Sequence, residues 1–297
     1  MEEKKYSKAG TFFFGFFACI LYLVIQGIIG AIGMIPLALQ ARAEVGSDIA
    51  AYTERYMELV SESSSVSTWT TIATVVCFVV VFIWYMCGYY KKNKAIRTSG
   101  EAPKFFTLRN IAFVVTASVV IFAITVVLQR LLESSATNTA EFLDSALNSI
   151  VGGNGYFGFI FAIFVAPLAE ELLVRGVIVG KLSKAYGIIG TAIISAILFG
   201  FLHLNIIQGI YVLPMGIFWG WLAYKYKSVV PSMICHILNN FLGTIGYALI
   251  TNTAARIIIV GVCLAAVVLL VVTGRKNTVS ENAVEKVEEV KTEEQSL

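Results

Sequence analysis

The sequence predicts an all-α protein, a polytopic transmembrane helical bundle of about eight spans with short interfacial amphipathic helices. Of the 297 residues, 58% are hydrophobic and only 14% are charged, whereas charged residues make up about 25% of a soluble domain. The apolar residues are gathered into long runs that end at lysine or arginine. The net charge of +3 is small and spread over loops, which argues against a nucleic-acid partner.

The first three predicted spans are continuous apolar runs at residues 11–39, 69–89 and 111–129. The polar stretch at residues 40–68 carries apolar residues at helical spacing, so it predicts a short amphipathic helix lying on the membrane or on the bundle. A second interfacial helix is predicted to end at Gly152-Gly153. The N-terminal part of the chain is therefore expected to alternate spanning and surface helices.

The remaining predicted spans are shorter or are interrupted by polar residues. They are placed at residues 156–181, 188–204, 210–224, 229–250 and 257–273. The loop ends that carry lysine then fall on one side of the membrane, and the positive-inside bias makes that side cytoplasmic. We expect an integral protein of the bacterial plasma membrane with both termini in the cytoplasm.

Apart from the C-terminal tail, the sequence shows no clear domain boundary and no internal repeat. Spans one and two with their polar loop occupy residues 1–104, and the other spans occupy residues 105–276. Residues 277–297 are rich in Glu, Lys and Val, and predict a charged, disordered cytoplasmic tail. The five cysteines all lie in apolar runs without a CxxC pair, so we interpret them as small buried hydrophobic residues.

Span four contains a charged stretch that includes Glu170, Glu171 and Arg175. A charged residue at the centre of a membrane span costs roughly 2.5 to 3.5 kcal/mol on insertion scales, so such residues usually face a bundle interior or a cavity and are functional. The alternative is structural, because Glu171 and Arg175 stand four residues apart and can form an ion pair that only fixes helix packing.

Both histidines of the chain, His203 and His236, follow this stretch in predicted spans. If the chain turns at about Tyr186-Gly187, Glu170 and His203 are each about 16 residues from the turn, which places them at the same depth on facing helices. His236 and Asn240 are one helical turn apart and project from one face. The sequence therefore allows these four side chains to converge.

A carboxylate, two imidazoles and a carboxamide in a low-dielectric cavity supply the groups needed for hydrolysis. A glutamate hydrogen-bonded to a histidine can take a proton from water, and a second histidine with an asparagine can donate to an oxyanion. A zinc ion is the alternative, and its candidate ligands are the same four residues, Glu170, His203, His236 and Asn240. Neither HExxH nor a cysteine pair is present, so the preferred interpretation requires no cofactor.

Three motifs stand in order along the second half of the chain: Glu170-Glu171-x-x-x-Arg175, Phe199-x-x-x-His203 and His236-x-x-x-Asn240. They resemble the signature motifs of the CPBP intramembrane proteases, a family also called Abi. This family groups CAAX prenyl endopeptidases with bacteriocin-processing and bacteriocin-immunity proteins. The resemblance covers a protease-like core at about residues 156–250.

A further element, Gly216-x-x-x-Gly220-x-x-x-Tyr224, is similar to a Gly-and-Tyr element of the same family. Small residues at this spacing allow close helix contact, so packing is the preferred interpretation of this element. Phe199 is as readily interpreted as a core aromatic residue as a direct participant in the chemistry.

The resemblance implies a role for each matched residue. Glu170 with His203 would activate a water molecule, and His236 with Asn240 would form the oxyanion site. Glu171 and Arg175 would be supporting residues that orient the others. Members of the family are often called metalloproteases, whereas the CAAX branch has also been interpreted as a metal-free glutamate-type site, and both interpretations stay open at this point.

The leading functional hypothesis is an intramembrane endopeptidase that acts on a membrane-associated protein or peptide in the lipid bilayer. A proton- or ion-coupled transporter is an alternative, because buried Glu, Arg and His also build ion pathways. A catalytically silent bacteriocin-immunity or interaction protein is another. The sequence does not identify the substrate or say whether it is prenylated.

Overall fold

The computed structural model describes residues 6–133, 158, 160–246 and 253–273. Every regular element within these ranges is helical, and they contain no strand. The predicted all-α fold class is therefore confirmed. The second predicted interfacial helix, before Gly152, and the predicted disordered tail at residues 277–297 lie outside the described ranges.

The N-terminal half contains long helices. They are α1 (Lys8–Val45), α2 (Ile49–Glu62), α3 (Ser65–Tyr85), α4 (Lys91–Thr98), which continues α3 through a π-helical turn at Met86–Tyr90, and α5 (Leu108–Glu133). The 38 residues of α1 extend over about 57 Å, which is longer than the roughly 30 Å hydrocarbon core of a bilayer. The predicted amphipathic helix within residues 40–68 is α2, and Asp48 caps its N-terminus by accepting hydrogen bonds from the N–H groups of Ala50 and Ala51.

Four helices among the described residues are long and apolar enough to cross a membrane: Lys8–Val45, Ser65–Thr98, Leu108–Glu133 and Thr253–Thr273. Most of their apolar surface is exposed in the isolated chain, as in Phe17, Ile28 and Val262, which suits contact with lipid. These helices point to an integral membrane protein. The predicted count of about eight spans is not confirmed by helix length.

The helices around the charged stretch are short. They are α6 (Ala166–Glu171), α7 (Val179–Leu182), α8 (Ile188–Leu202), α9 (Ile206–Tyr211), α10 (Leu213–Tyr226) and α11 (Val230–Phe241). π-Helical turns at Phe161–Val165 and Leu172–Ile178 enclose α6, and a third at Leu242–Gly246 follows α11. A π-helical turn rotates the side chains that follow it away from the 3.6-residue repeat, and such turns are frequent at functional sites.

Glycines bring α8 and α10 into close contact. A Cβ atom at Gly216 would lie 2.9 Å from Cβ of Ala196, and one at Gly220 would lie 2.5 Å from Oγ of Ser195. Backbones can approach this closely only where a side chain is absent. The pair of helices forms one wall of the core, in which Phe199 and other large apolar side chains are almost completely buried.

Candidate active site

Glu171 and Arg175 form an ion pair inside the bundle. Nη1 of Arg175 donates to Oε1 of Glu171 at 2.8 Å, and neither side chain is exposed. Nη2 of Arg175 donates to the backbone carbonyl of Gly216 at 3.4 Å. Through Arg175, the charged stretch is therefore linked to α10 at the point where α10 contacts α8.

His236, on α11, lies between the two glutamates. Nδ1 of His236 is 3.0 Å from Oε1 of Glu171, and Nε2 is 3.8 Å from Oε2 of Glu170. The carboxylate of Glu171, paired with Arg175, can only accept hydrogen bonds, so we assign the hydrogen of this contact to Nδ1. This contact orients the imidazole and directs Nε2 toward Glu170.

The two adjacent glutamates have different environments. The side chain of Glu171 is fully buried and contacts both Arg175 and His236, whereas the side chain of Glu170 is 21% exposed. Nε2 of His236 lies too far from Oε2 of Glu170 for a direct hydrogen bond. Glu171 is therefore held by its neighbours, and Glu170 retains capacity to bind another group.

Aromatic rings enclose the histidines. Trp219 stacks on His236 with ring centroids 4.5 Å apart and an interplanar angle of 27°. Phe199 meets His203 edge-on at 5.0 Å and His236 at 5.6 Å, and the Arg175 guanidinium lies 4.5 Å from the centroid of the Phe199 ring. The contact of Phe199 with both imidazoles shows that it is more than a distant core residue.

His203 is the C-terminal cap of α8 and directly follows Leu202. Its Nε2 atom is buried and has no hydrogen-bond partner among the described residues, and His203 makes no hydrogen bond or ion pair with Glu170. The chain turns immediately afterwards, where Leu204 adopts a positive φ of 52°. The structure thus brings His203 to the same aromatic residue as His236, but it does not join His203 directly to Glu170.

Asn240 lies one turn after His236 on α11. Its Nδ2 donates to the backbone carbonyl of Ala162 at 2.8 Å, and its Oδ1 accepts from Nδ2 of Asn239 at 3.2 Å. Ala162 belongs to the π-helical turn at Phe161–Val165. One N–H of the Asn240 carboxamide therefore ties α11 to this turn, which leaves the second N–H available for another acceptor.

Trp219 and Ala162 are the contacts that sequence reasoning missed. Trp219 lies between Gly216 and Gly220 in the sequence. The small-residue spacing of α10 singled out these two glycines and not the indole between them. The Ala162 contact is made by a backbone carbonyl, which no side-chain pattern reveals. One signal could have identified the indole: Trp219 is the large residue on α10 that lies between the two glycines at which α10 packs closely against α8.

The zinc hypothesis can be tested against the donor geometry. Within the described ranges, no group of three or more His, Cys, Asp or Glu side chains is arranged to hold a metal ion. Glu171 and Nδ1 of His236 are committed to each other, and Asn240 is turned toward Ala162. In this arrangement Glu170, His203, His236 and Asn240 do not form a tetrahedral ligand set.

A family model matches the segment of the chain that carries these residues. Residues 152–242 match the family model described as type II CAAX prenyl endopeptidase Rce1-like. The matched segment is an Rce1-like domain. The resemblance to CPBP intramembrane proteases, first seen in the motifs, is thereby confirmed, and the Rce1-like domain includes all the charged and polar residues of the site described above. The comparisons do not support the bacteriocin-immunity alternative.

The chain has no significant match among curated proteins or among solved structures. The Rce1-like domain implies an enzyme of the CAAX protease type with a protein or peptide substrate.

Proposed function

We propose that the protein is an intramembrane endopeptidase that hydrolyses a peptide bond of a membrane-associated protein or peptide. The observation that carries the proposal is the position of His236 between a buried, paired glutamate and a partly exposed one, within an Rce1-like domain. We place the protein in the bacterial plasma membrane with both termini in the cytoplasm.

Glu170 is the proposed general base. Its side chain is partly exposed and does not pair with Arg175, so the carboxylate can bind a water molecule and take a proton from it. Glu171 and Arg175 are positioning residues, because they orient Nδ1 of His236 and their side chains are fully buried. The ion-pair alternative and the catalytic alternative then apply to different members of the same stretch.

His203, His236 and Asn240 complete the proposed mechanism. The unpartnered Nε2 of His203 is the second partner of the water, as the family resemblance implies. For His236 to act here, both of its ring nitrogens must carry a hydrogen: Nδ1–H donates to Glu171, and Nε2–H faces the site. Nε2–H of His236 and the free N–H of Asn240 then donate to the oxygen that becomes negative as the water attacks the carbonyl. The proton on Glu170 then passes to the departing amine, so the peptide bond is replaced by a carboxyl group and an amino group.

The 3.8 Å separation of Nε2 of His236 and Glu170 supports a second arrangement, in which these two residues share the water. The His236→Gln variant separates the two. A carboxamide still donates hydrogen bonds, so an oxyanion role would be partly retained, whereas a role in taking the proton from water would be lost.

The most informative experiment compares the membrane peptidomes of cells that express the wild-type protein or Glu170→Ala. We expect an uncleaved membrane protein or peptide to accumulate with Glu170→Ala, and the cleavage product to disappear. Identical peptidomes, with both proteins present at equal levels in the membrane, would contradict the proposed function.

The proposal requires no cofactor, so cleavage by the purified protein is expected to continue after a chelator is added. Loss of cleavage on chelation, with recovery of cleavage on addition of zinc, would overturn that part of the proposal.

A further inference from the structure

A cavity of about 610 Å³ lies beside the candidate active site. Its apolar walls include Phe78 and Phe82 from α3, Leu168 and Leu172 from the charged stretch, and Met233 from α11. Leu172 follows Glu171 directly, and Met233 lies three residues before His236. The cavity therefore shares two of its walls with the helices that carry the site.

The rim of the cavity is positively charged. Arg97 and Lys104 line it, and Arg97 donates a hydrogen bond to the backbone carbonyl of Lys227. Neither Arg97 nor Lys104 forms an ion pair with a carboxylate in the part of the chain that the structure describes.

Two cations without a carboxylate partner, beside an apolar cavity, are complementary to an anionic amphiphile. Clusters of Lys and Arg directly after a membrane-spanning helix bind the head groups of anionic lipids, and α4 with its basic residues continues directly from the apolar α3. A free phosphate would suit the rim but would leave the apolar walls without a ligand. A lipid supplies both the charge and the chain.

We propose that this cavity binds an anionic phospholipid, with its phosphate near Arg97 and Lys104 and an acyl chain between α3 and the charged stretch. A chain in this place contacts Leu168 and Leu172, which lie on either side of Glu170 and Glu171 in the sequence. The lipid would therefore support the helix that carries both carboxylates. This inference concerns lipid binding and is independent of the proposed proteolysis.

Native mass spectrometry of the purified full-length protein, titrated with phosphatidylglycerol or phosphatidylcholine, tests the proposal. We expect phosphatidylglycerol to bind more tightly, and Lys104→Gln to weaken that binding about fivefold, because one cation near a lipid surface contributes on this scale. Lys104 is exposed, so its substitution leaves the core intact. Lys91→Gln is the matched control, since Lys91 is also exposed and lies on α4 but does not line the cavity.

A second variant tests the apolar part. Ala102 lines the cavity and is 6% exposed, so Ala102→Phe is expected to fill part of the volume and reduce phosphatidylglycerol binding. Equal binding of the two lipids would overturn the proposal, as would equal weakening by Lys91→Gln and Lys104→Gln. Unchanged phosphatidylglycerol binding in Ala102→Phe would overturn the placement of the acyl chain in this cavity. Because binding is measured without cleavage, none of these results depends on whether the protein is a protease.

Discussion

Two arginines of this protein pair with glutamates in contrasting surroundings. Arg175 pairs with Glu171 at 2.8 Å where both side chains are fully buried, whereas Arg55 on α2 pairs with Glu44 at 2.5 Å and Glu58 at 2.6 Å where all three are partly exposed. A buried pair must overcome the desolvation of both charges and is rarely retained for stability alone. An exposed pair costs little and contributes little.

The difference between the two pairs indicates that the buried pair of Glu171 and Arg175 positions other side chains of the site. Glu171 accepts from His236 as well as from Arg175, and the guanidinium lies over the ring of Phe199, which also contacts His203. The buried charges therefore hold both imidazoles in place through their neighbours. Among the described residues, the ion pairs of Arg55 join α2 to the end of α1 and include no histidine or aromatic side chain.

The largest expected effect on stability comes from breaking the buried pair. Arg175→Met leaves the Glu171 carboxylate buried without its cation, and we expect the free energy of unfolding to fall by about 3 to 5 kcal/mol. Denaturant unfolding in detergent micelles measures the change, with Arg55→Met as the matched control. A loss no larger than that of the control would contradict the difference drawn between the two pairs.

Gly220→Ala is expected to have the next largest effect, because the added Cβ would lie 2.5 Å from Oγ of Ser195 and 3.1 Å from Cα of Ala192. Forcing α8 and α10 apart should cost about 1 to 3 kcal/mol of stability. The control is Gly27→Ala on α1, where an added Cβ meets no atom within 4 Å. Thermal unfolding of both variants should show a lower midpoint for Gly220→Ala only, and equal midpoints would contradict the close packing of these helices.

Trp219→Phe sharpens the comparison within the aromatic enclosure. The smaller ring keeps the apolar character of the site but loses part of the stacking on His236, so we expect a loss of about 1 kcal/mol. A double-mutant cycle with His236→Ala isolates the contribution of the contact. Additive effects of the two substitutions would show that the stacked geometry contributes nothing.

Arg55→Gln should have the smallest effect. The pair is exposed and screened by salt, so we expect no resolvable change in the unfolding midpoint and no change in cleavage. The measurement is the same thermal scan, at low and at high salt. A clear loss of stability would mean that α2 contributes more to the bundle than its exposed contacts suggest.

Much of the fold can be predicted from hydropathy. The apolar runs at residues 11–39, 69–89 and 111–129 each lie within a long helix. A continuous apolar run of this length is typical of a membrane-spanning helix. The Rce1-like domain is harder, because its helices are short. Polar residues, glycines and π-helical turns interrupt the apolar pattern there. The number of membrane spans in this domain therefore cannot be obtained from helix length.

The candidate site could be predicted in its membership but not in its contacts. Depth along two helices suggested that Glu170 faces His203, yet the contacts observed join His236 to Glu171 and bring it near Glu170. The π-helical turns on both sides of α6 rotate this stretch relative to a regular helix. A count at 3.6 residues per turn therefore cannot show which carboxylate faces which imidazole.

The most direct test of the central claim is the cleavage rate of Glu170→Gln measured beside that of Glu171→Gln, with the unfolding midpoint of each. The account predicts that Glu170→Gln folds normally but cleaves about 10² to 10⁴ times more slowly, as expected for loss of a general base. It predicts that Glu171→Gln lowers the midpoint, because the Arg175 guanidinium loses its partner. Full cleavage by a folded Glu170→Gln protein would contradict the assignment of Glu170 as the base.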